Sequence, residues 1–279
     1  MLKTLRQIFV REHEAPPGAA VPPGERVYAV GDIHGRLDLF EAIIAAIEED
    51  DASLAPARTT VVLLGDLVDR GPDSAGVVAR ARAWGQRREV RMLAGNHEEM
   101  FLSSFDDIEV LRHFLRFGGK ETVLSYGIDR DTYNAAELEE VQAMMAAAVP
   151  EADREFLRSF EDMIAIGDYL FVHAGIAPGV PFEEQRRKDL RWIREPFLSH
   201  GEPLGAVVVH GHTISDEPVE RGNRIGIDTG AYSSGRLTAL ALEGQTRRYI
   251  EAIDDGGTIT AAPRRDHRVG TAEKVPGGL

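Results

Sequence analysis

Five apolar runs in this chain of 279 residues stop at a side chain able to bind a metal or move a proton, and glycine sits at each stop: GDIHG (31–35), GDLVDRG (65–71), GNHE (95–98), HAG (173–175) and HGHT (210–213). Residues that follow successive strands of an α/β sheet emerge along one edge of it, so a sequence built this way collects its polar side chains in one place. Any single motif has an ordinary explanation, because Asp, Asn and Gly fill turns and Asp caps helices. Five of them in order, each after a strand-like run, point to a shared site.

The first half alternates strand and helix. Arg26–Val30 precedes a helix from about Leu37 to Asp50, Thr59–Leu64 precedes one near Ser74–Trp84, and Glu89–Leu93 leads into a longer helical stretch from Glu98. That β-α-β-α-β order implies parallel strands with right-handed helical crossovers. Residues 98–162 read as a mostly helical insertion with breaks at Gly118-Gly119, Tyr126-Gly127 and Pro150. Beyond it, Met163–Ile166 and Tyr169–Val172 flank a two-residue Gly167-Asp168 turn and predict a hairpin. Ala206–Val209, Arg224–Ile227, Leu237–Leu242 and Thr246–Ile250 follow as strands, so the second half is expected to form a strand-rich sheet facing the first. The predicted organisation is an irregular lead-in (1–25), one α/β domain (26–262) and a loose tail (263–279), the outer segments being rich in Pro, Gly and charge.

Composition narrows the function. A net charge of −14 and a pI near 5.1 argue against nucleic acid or an anionic membrane as main partner. An acidic protein that handles phosphate must concentrate positive charge locally, with metal ions and a few arginines. The chain has no cysteine, which excludes cysteine-based phosphatase chemistry and fits a reducing compartment. The N-terminal stretch lacks the apolar core and cleavage site of a secretory signal, and no run is long enough to span a bilayer, so a cytoplasmic location is expected.

Two dications held close together need a shared anion to screen their repulsion. Asp66 is the candidate bridge. Asp32 and His34 would complete one site with it, and Asn96, His173 and His212 would hold the second ion. This mixed nitrogen and oxygen set suits Mn²⁺, Fe or Zn²⁺ rather than Ca²⁺. Ile214 stands where a further histidine could have served the first ion, so that site is expected to carry more water. His210, ending a strand, is expected to pack or orient a neighbour. A bridging water deprotonated near neutral pH needs no protein base; the leaving group needs an acid, and His97 aligned by Asp69 is the candidate. Arg70 and Arg194 are candidate forks for phosphate oxygens, with Arg36 expected in a surface ion pair instead.

In this order, GDIHG, GDLVDRG, GNHE, HAG and HGHT closely resemble the calcineurin-like metallophosphoesterases, and within them the compact bacterial and phage-like members of the phosphoprotein phosphatase family, over about residues 26–250. The resemblance implies an α/β fold in which a two-sheet β-sandwich carries helices on its outer faces and a dimetal centre at one end. By motif it assigns Asp32, His34, Asp66, Asn96, His173 and His212 as metal ligands, His97 with Asp69 as the acid pair and Arg70 as a phosphate clamp. The stretch Trp192–Glu195 also resembles bacterial and phage members in which the arginine corresponding to Arg194 contacts phosphate. The expected activity is Mn²⁺-dependent hydrolysis of phosphoserine and phosphothreonine in proteins by a monomer. The alternatives are a symmetrical dinucleoside tetraphosphate hydrolase or another small-molecule phosphoesterase, since the same fold hosts these, and a non-catalytic scaffold would predict an eroded site.

Overall fold

The computed structural model describes residues 18–263; the segments 1–17 and 264–279, with most of the expected lead-in and nearly all of the expected tail, lie outside the described residues. Strands β1 (Glu25–Val30), β2 (Arg58–Leu63) and β3 (Val90–Met92) alternate with helices α1 (Leu37–Ser53) and α2 (Ser74–Gly85). Next come helices α3 (Asn96–Ser103), α4 (Ile108–Phe114), α5 (Lys120–Ser125), α6 (Arg130–Ala135), α7 (Leu138–Ala148) and α8 (Glu151–Arg158). The chain then forms β4 (Ile164–Ile166), β5 (Tyr169–Phe171), α9 (Arg187–Trp192), β6 (Val207–His210), β7 (Val219–Glu220), β8 (Arg224–Gly226), α10 (Ala231–Ser234), β9 (Arg236–Glu243), β10 (Thr246–Asp255) and β11 (Thr258–Pro263).

These strands make two mixed sheets, ordered β11-β10-β9-β1-β2-β3 and β4-β5-β6-β8-β7. One expectation is corrected here. The strands of the second half divide between the sheets: β4 to β8 form the facing sheet as expected, whereas β9 pairs antiparallel with β1, Val30 opposite Ala239, and carries β10 and β11 into the first sheet. The strand β9 buries nearly its whole length, so a central place between β1 and β10 suits it better than an edge.

Register explains why the motifs meet. In the parallel part of the first sheet Val30 aligns with Leu63 and Leu63 with Met92, so the turns that follow start at one sheet edge. The second sheet does the same: Phe171 aligns with Val209 and Val209 with Ile225. The polar residues after six strands therefore emerge at one end of the sandwich.

Strand alternation sorts the core into layers. Val27, Ala29 and Val62 point between the sheets and pack with Tyr169, Phe171, Val207, Val209 and Ile225. Their neighbours Tyr28, Val30, Val61 and Leu63 face outward onto Leu39, Phe40, Ile43 and Ile47 of α1 and Val77, Val78, Ala81 and Trp84 of α2. The helical spacing of those residues gives each helix one apolar stripe, and the Asp73 side chain caps α2 by accepting from the Gly76 N–H at 2.7 Å. A third layer covers the other face of the second sheet, where Leu170, Val172 and Val208 meet Leu190 and Phe197. Ala19 and Val21, in the part of the lead-in that is described, are buried against the inter-sheet core rather than loose. No helix among the described residues is long and apolar enough to cross a membrane.

Helices α3 to α8 are not a separate body. Phe101, Phe114, Val141 and Met145 belong to the same buried cluster as the outer face of the first sheet, and Phe101 stacks on Phe114 with ring centroids 5.4 Å apart. Replacing Phe114 by Ala should therefore cost the whole domain about 3–5 kcal/mol, as for a fully buried aromatic ring. Urea unfolding followed by circular dichroism should show one transition moved to lower denaturant; an unmoved main transition with a separate early phase would show that these helices unfold on their own.

Candidate metal centre

The turns at the sheet edge are strained in a particular way. Among the described residues, the non-glycine residues with left-handed backbone are His34, Asp66, Asp69, Arg70 and His212, with φ between 46° and 74°, and every one is a predicted site residue. Each costs roughly 1–2 kcal/mol relative to ordinary backbone. Two glycines let carboxylates lie against the main chain: a Cβ on Gly95 would stand 2.1 Å from Asp66 Oδ1, and one on Gly211 would stand 2.0 Å from Asp32 Oδ1. In the room so created, the His97 N–H donates to Asp66 Oδ1 at 3.0 Å and the His212 N–H to Asp32 Oδ2 at 3.0 Å.

Backbone carbonyls set the histidine tautomers. His34 Nδ1 lies 2.8 Å from the Val68 carbonyl oxygen and His173 Nδ1 lies 2.8 Å from that of Leu64. A carbonyl only accepts, so both Nδ1 atoms carry the proton and both Nε2 atoms present lone pairs. Those lone pairs converge on one carboxylate: Asp66 Oδ2 is 3.6 Å from His34 Nε2, 3.5 Å from His173 Nε2 and 3.9 Å from His97 Nε2. Asn96 Oδ1 lies 3.0 Å from His173 Nε2 and 2.9 Å from His212 Nδ1. Two groups of donors, His34 with Asp66 and His97, and Asp66 with His173 and His212, are each compact enough to hold an ion, and they share Asp66. Acceptors facing acceptors with few protons between them repel unless a cation neutralises them, so the donor set fits two divalent ions.

Burial drives the metal-free cluster toward neutral forms. Desolvation pushes Asp66 up to about 6, despite the opposing charge of His97, and Glu98 up to about 7. It also raises Asp228 to about 6 and holds Asp32, beside Asp228 and Asp66, well above the usual carboxylate range. The same burial lowers His173 to about 3 and His212 to about 2. Imidazoles at neutral pH are thus already in the ligand form, whereas the carboxyls must lose protons to bind metal. Binding of Mn²⁺ should release more protons at about pH 6 than at about pH 8, read by titration calorimetry in buffers of different ionisation enthalpy. Equal release at both would show that the carboxyls are ionised before metal arrives.

The remaining predicted residues surround this cluster. His97 Nδ1 lies 2.6 Å from Asp69 Oδ2, both side chains being buried. The Arg70 guanidinium donates to His34 Nε2 at 3.0 Å and His97 Nε2 at 2.9 Å, and sits 4.7 Å from the Tyr232 ring centroid. It therefore stands against both histidines of the first donor group. Asp32 is fixed by the His212 backbone and lies outside the two compact donor groups. Arg194 is exposed, yet its charge is near enough to lower both His212 and Asp228. Arg36 is largely buried between Asp38, Asp254 and the Ala231 carbonyl rather than in the surface pair expected. His210 packs edge-on against Phe197 and bonds the Gly211 carbonyl.

Two buried carboxylates were missed by the reading of the sequence. Glu98, quoted only as the end of GNHE, accepts from the backbone N–H groups of Asp66, Leu67 and Gly95 at 2.7–2.9 Å and so braces the turn that carries Asp66. Its place as third residue of α3, reaching back to Gly95, is a capping signal readable in advance. Asp228 follows β8 between glycines, in Gly226-Ile227-Asp228-Thr229-Gly230, and repeats the pattern of the other motifs. Glu98→Gln should weaken Mn²⁺ binding about 10- to 100-fold, as for other groups that orient ligands; titration calorimetry giving wild-type affinity would remove Glu98 as the brace.

The sequence profile of calcineurin-like phosphoesterases matches residues 25–230. A symmetrical bis(5'-nucleosyl)-tetraphosphatase of Acidovorax sp. (strain JS42) is 32% identical over 65% of this chain and 51% of that protein, so this chain spans about half the length of that relative. Serine/threonine-protein phosphatase 1 of Salmonella typhimurium is 29% identical over 78% of this chain and 92% of that protein. Further tetraphosphatases recur among the curated relatives. Among solved structures, a cold-active protein tyrosine phosphatase superposes with a TM-score of 0.54 at 20% identity, covering 87% of this chain and 81% of that one, a likeness of fold.

Proposed function

Because the chain belongs to the calcineurin-like phosphoesterase family, we propose that it is a dinuclear-metal hydrolase of phosphate monoesters, acting on phosphoserine and phosphothreonine in cytoplasmic proteins. The observation that carries this reading is that two donor groups share Asp66 and that His97, a member of the first, is paired through its other ring nitrogen with the buried Asp69. Asp32, His34 and Asp66 would hold one ion, and Asp66, Asn96, His173 and His212 the other. Such a pair, Mn²⁺ being the best match to the donors, would supply Lewis acidity toward phosphoryl oxygens and would bring the pKa of water toward neutrality.

The protein's own groups then bind and protonate. Arg70 presents a planar fork that matches two phosphate oxygens, and Arg194 adds charge from the rim. As water adds its oxygen to phosphorus and the bond to the leaving oxygen breaks, that leaving oxygen takes a proton from His97 Nε2. Asp69 keeps the other ring nitrogen protonated and the imidazole aimed. The match to the Salmonella phosphatase along nearly all of that protein supports the phosphoprotein substrate.

A second reading, cleavage of a dinucleoside polyphosphate, is supported by the tetraphosphatase relatives and by the partly exposed Tyr232 ring beside Arg70, which could stack on a base. Kinetics on a phosphothreonine peptide and on diadenosine tetraphosphate decide between them. A higher kcat/KM for the peptide is expected, and a large preference for the nucleotide would replace the first reading by the second. With the better substrate, His97→Asn and Asp69→Asn should each lower turnover by ~10²–10⁴ while the protein still binds two metal ions. Unchanged turnover in both would mean that another group protonates the leaving oxygen.

A further inference from the structure

Beyond α3, which carries Asn96, His97 and Glu98, the helices that precede β4 reach the site through a buried hydroxyl. Thr122, in α5, is fully buried, and its Oγ1 donates to Asp69 Oδ1 at 2.6 Å. The same oxygen accepts from the Asp69 backbone N–H at 2.8 Å and lies 2.8 Å from Ser74 Oγ. A hydroxyl has one proton and two lone pairs. Its proton is spent on Asp69 Oδ1, so Ser74 must be the donor toward Thr122, and every bonding direction of the threonine hydroxyl is used. Ser74 Oγ in turn accepts from the Asp69 N–H at 2.9 Å, which ties the network back to the same residue.

The consequence falls on the other carboxylate oxygen. Asp69 Oδ2 is left to His97 Nδ1 at 2.6 Å, with the carboxylate plane fixed from behind. Neighbouring Arg70 is held by the same segment, since its N–H donates to the Gly118 carbonyl at 3.0 Å. We propose that Thr122 is a positioning residue: its hydroxyl orients Asp69 so that His97 carries its Nδ1 proton toward Asp69 and turns Nε2 to the leaving group. This gives the helical insertion a role in proton transfer, which packing alone would not require. It rests on the reading of His97 as the acid and is tested partly without it.

A group that serves an acid matters most when the leaving group is a poor one. In Thr122→Val, turnover of an alkyl phosphate should fall roughly 10- to 100-fold, the range for outer groups that orient the side chains of a metal site. The loss with p-nitrophenyl phosphate, whose leaving group needs little protonation, should be far smaller, and Thr122→Ser should restore the alkyl phosphate rate. Independently of activity, the zinc-loaded full chain should show a far-downfield Nδ1 proton of His97 by NMR that shifts or broadens in Thr122→Val and returns in Thr122→Ser. An unshifted resonance, or equal losses on both esters, would overturn the proposal. Absence of all hydrolysis in the wild type would refute the phosphoesterase reading while the resonance still decided this one. If the valine variant does not fold, Ser74→Ala, which removes the donor that fixes the Thr122 hydroxyl, must shift the same resonance in smaller measure; an unshifted one there overturns the proposal equally.

Discussion

The Asp66 carboxylate is the point on which the rest of the structure turns. One oxygen is pinned by the His97 N–H while the other faces the lone pairs of His34 and His173, which come from opposite sheets. Nothing about Asp66 alone would hold it there. Its backbone carbonyl accepts from the N–H groups of Ile33 and His34, which locks the first turn to the second, and Glu98 braces its own N–H from the far side. The two sheets are thus joined at this end through polar groups as well as through the apolar core between them.

That arrangement is unfavourable for the metal-free protein. Five left-handed residues at roughly 1–2 kcal/mol each add up to strain comparable with the net stability of a whole domain, about 5–15 kcal/mol. Buried carboxylates and imidazoles add desolvation on top. The offset comes from three apolar layers and from helices packed on the first sheet, which hold the strand ends in register whatever the turns would prefer. Strain confined to the turns that bear functional side chains is the usual mark of a site fixed by its scaffold, and here the scaffold and the strain can be assigned to different residues.

Much of this was legible in the sequence, for a physical reason. The first βαβ units place each motif directly after a strand, so the ligands are read from local pattern, and parallel register alone brings them together. Likewise the Gly167-Asp168 turn announces the β4–β5 hairpin. What failed to read was non-local. Whether β9 joins the first or the second sheet depends on which partner covers it, and its apolar pattern is the same in either place. Thr122 carries no signal of its own, because a threonine within a helix is most often unremarkable and its meaning comes from a carboxylate 53 residues earlier. Asp228 is the exception, since it stands just after β8 among glycines and carries the same local signal as the five motifs.

The same geometry separates a constrained centre from a variable rim, and relatives of this chain bear names for different substrates. The groups proposed to hold the metal ions are buried and mutually constrained: moving His34, Asp66 or His173 would disturb two hydrogen-bonded turns at once. The residues next to them are under no such constraint. Tyr232 sits 5.4 Å from the His34 ring with its own ring partly exposed, Ile214 lies two positions beyond His212, and Phe117 flanks the Gly118 that holds Arg70. Tyr232, Ile214 and Phe117 are three of the five exposed large apolar side chains among the described residues. Exposed positions can change with little loss of stability, so this rim is where a leaving group would be selected, a planar base or a peptide side chain, while the chemistry beneath stays the same.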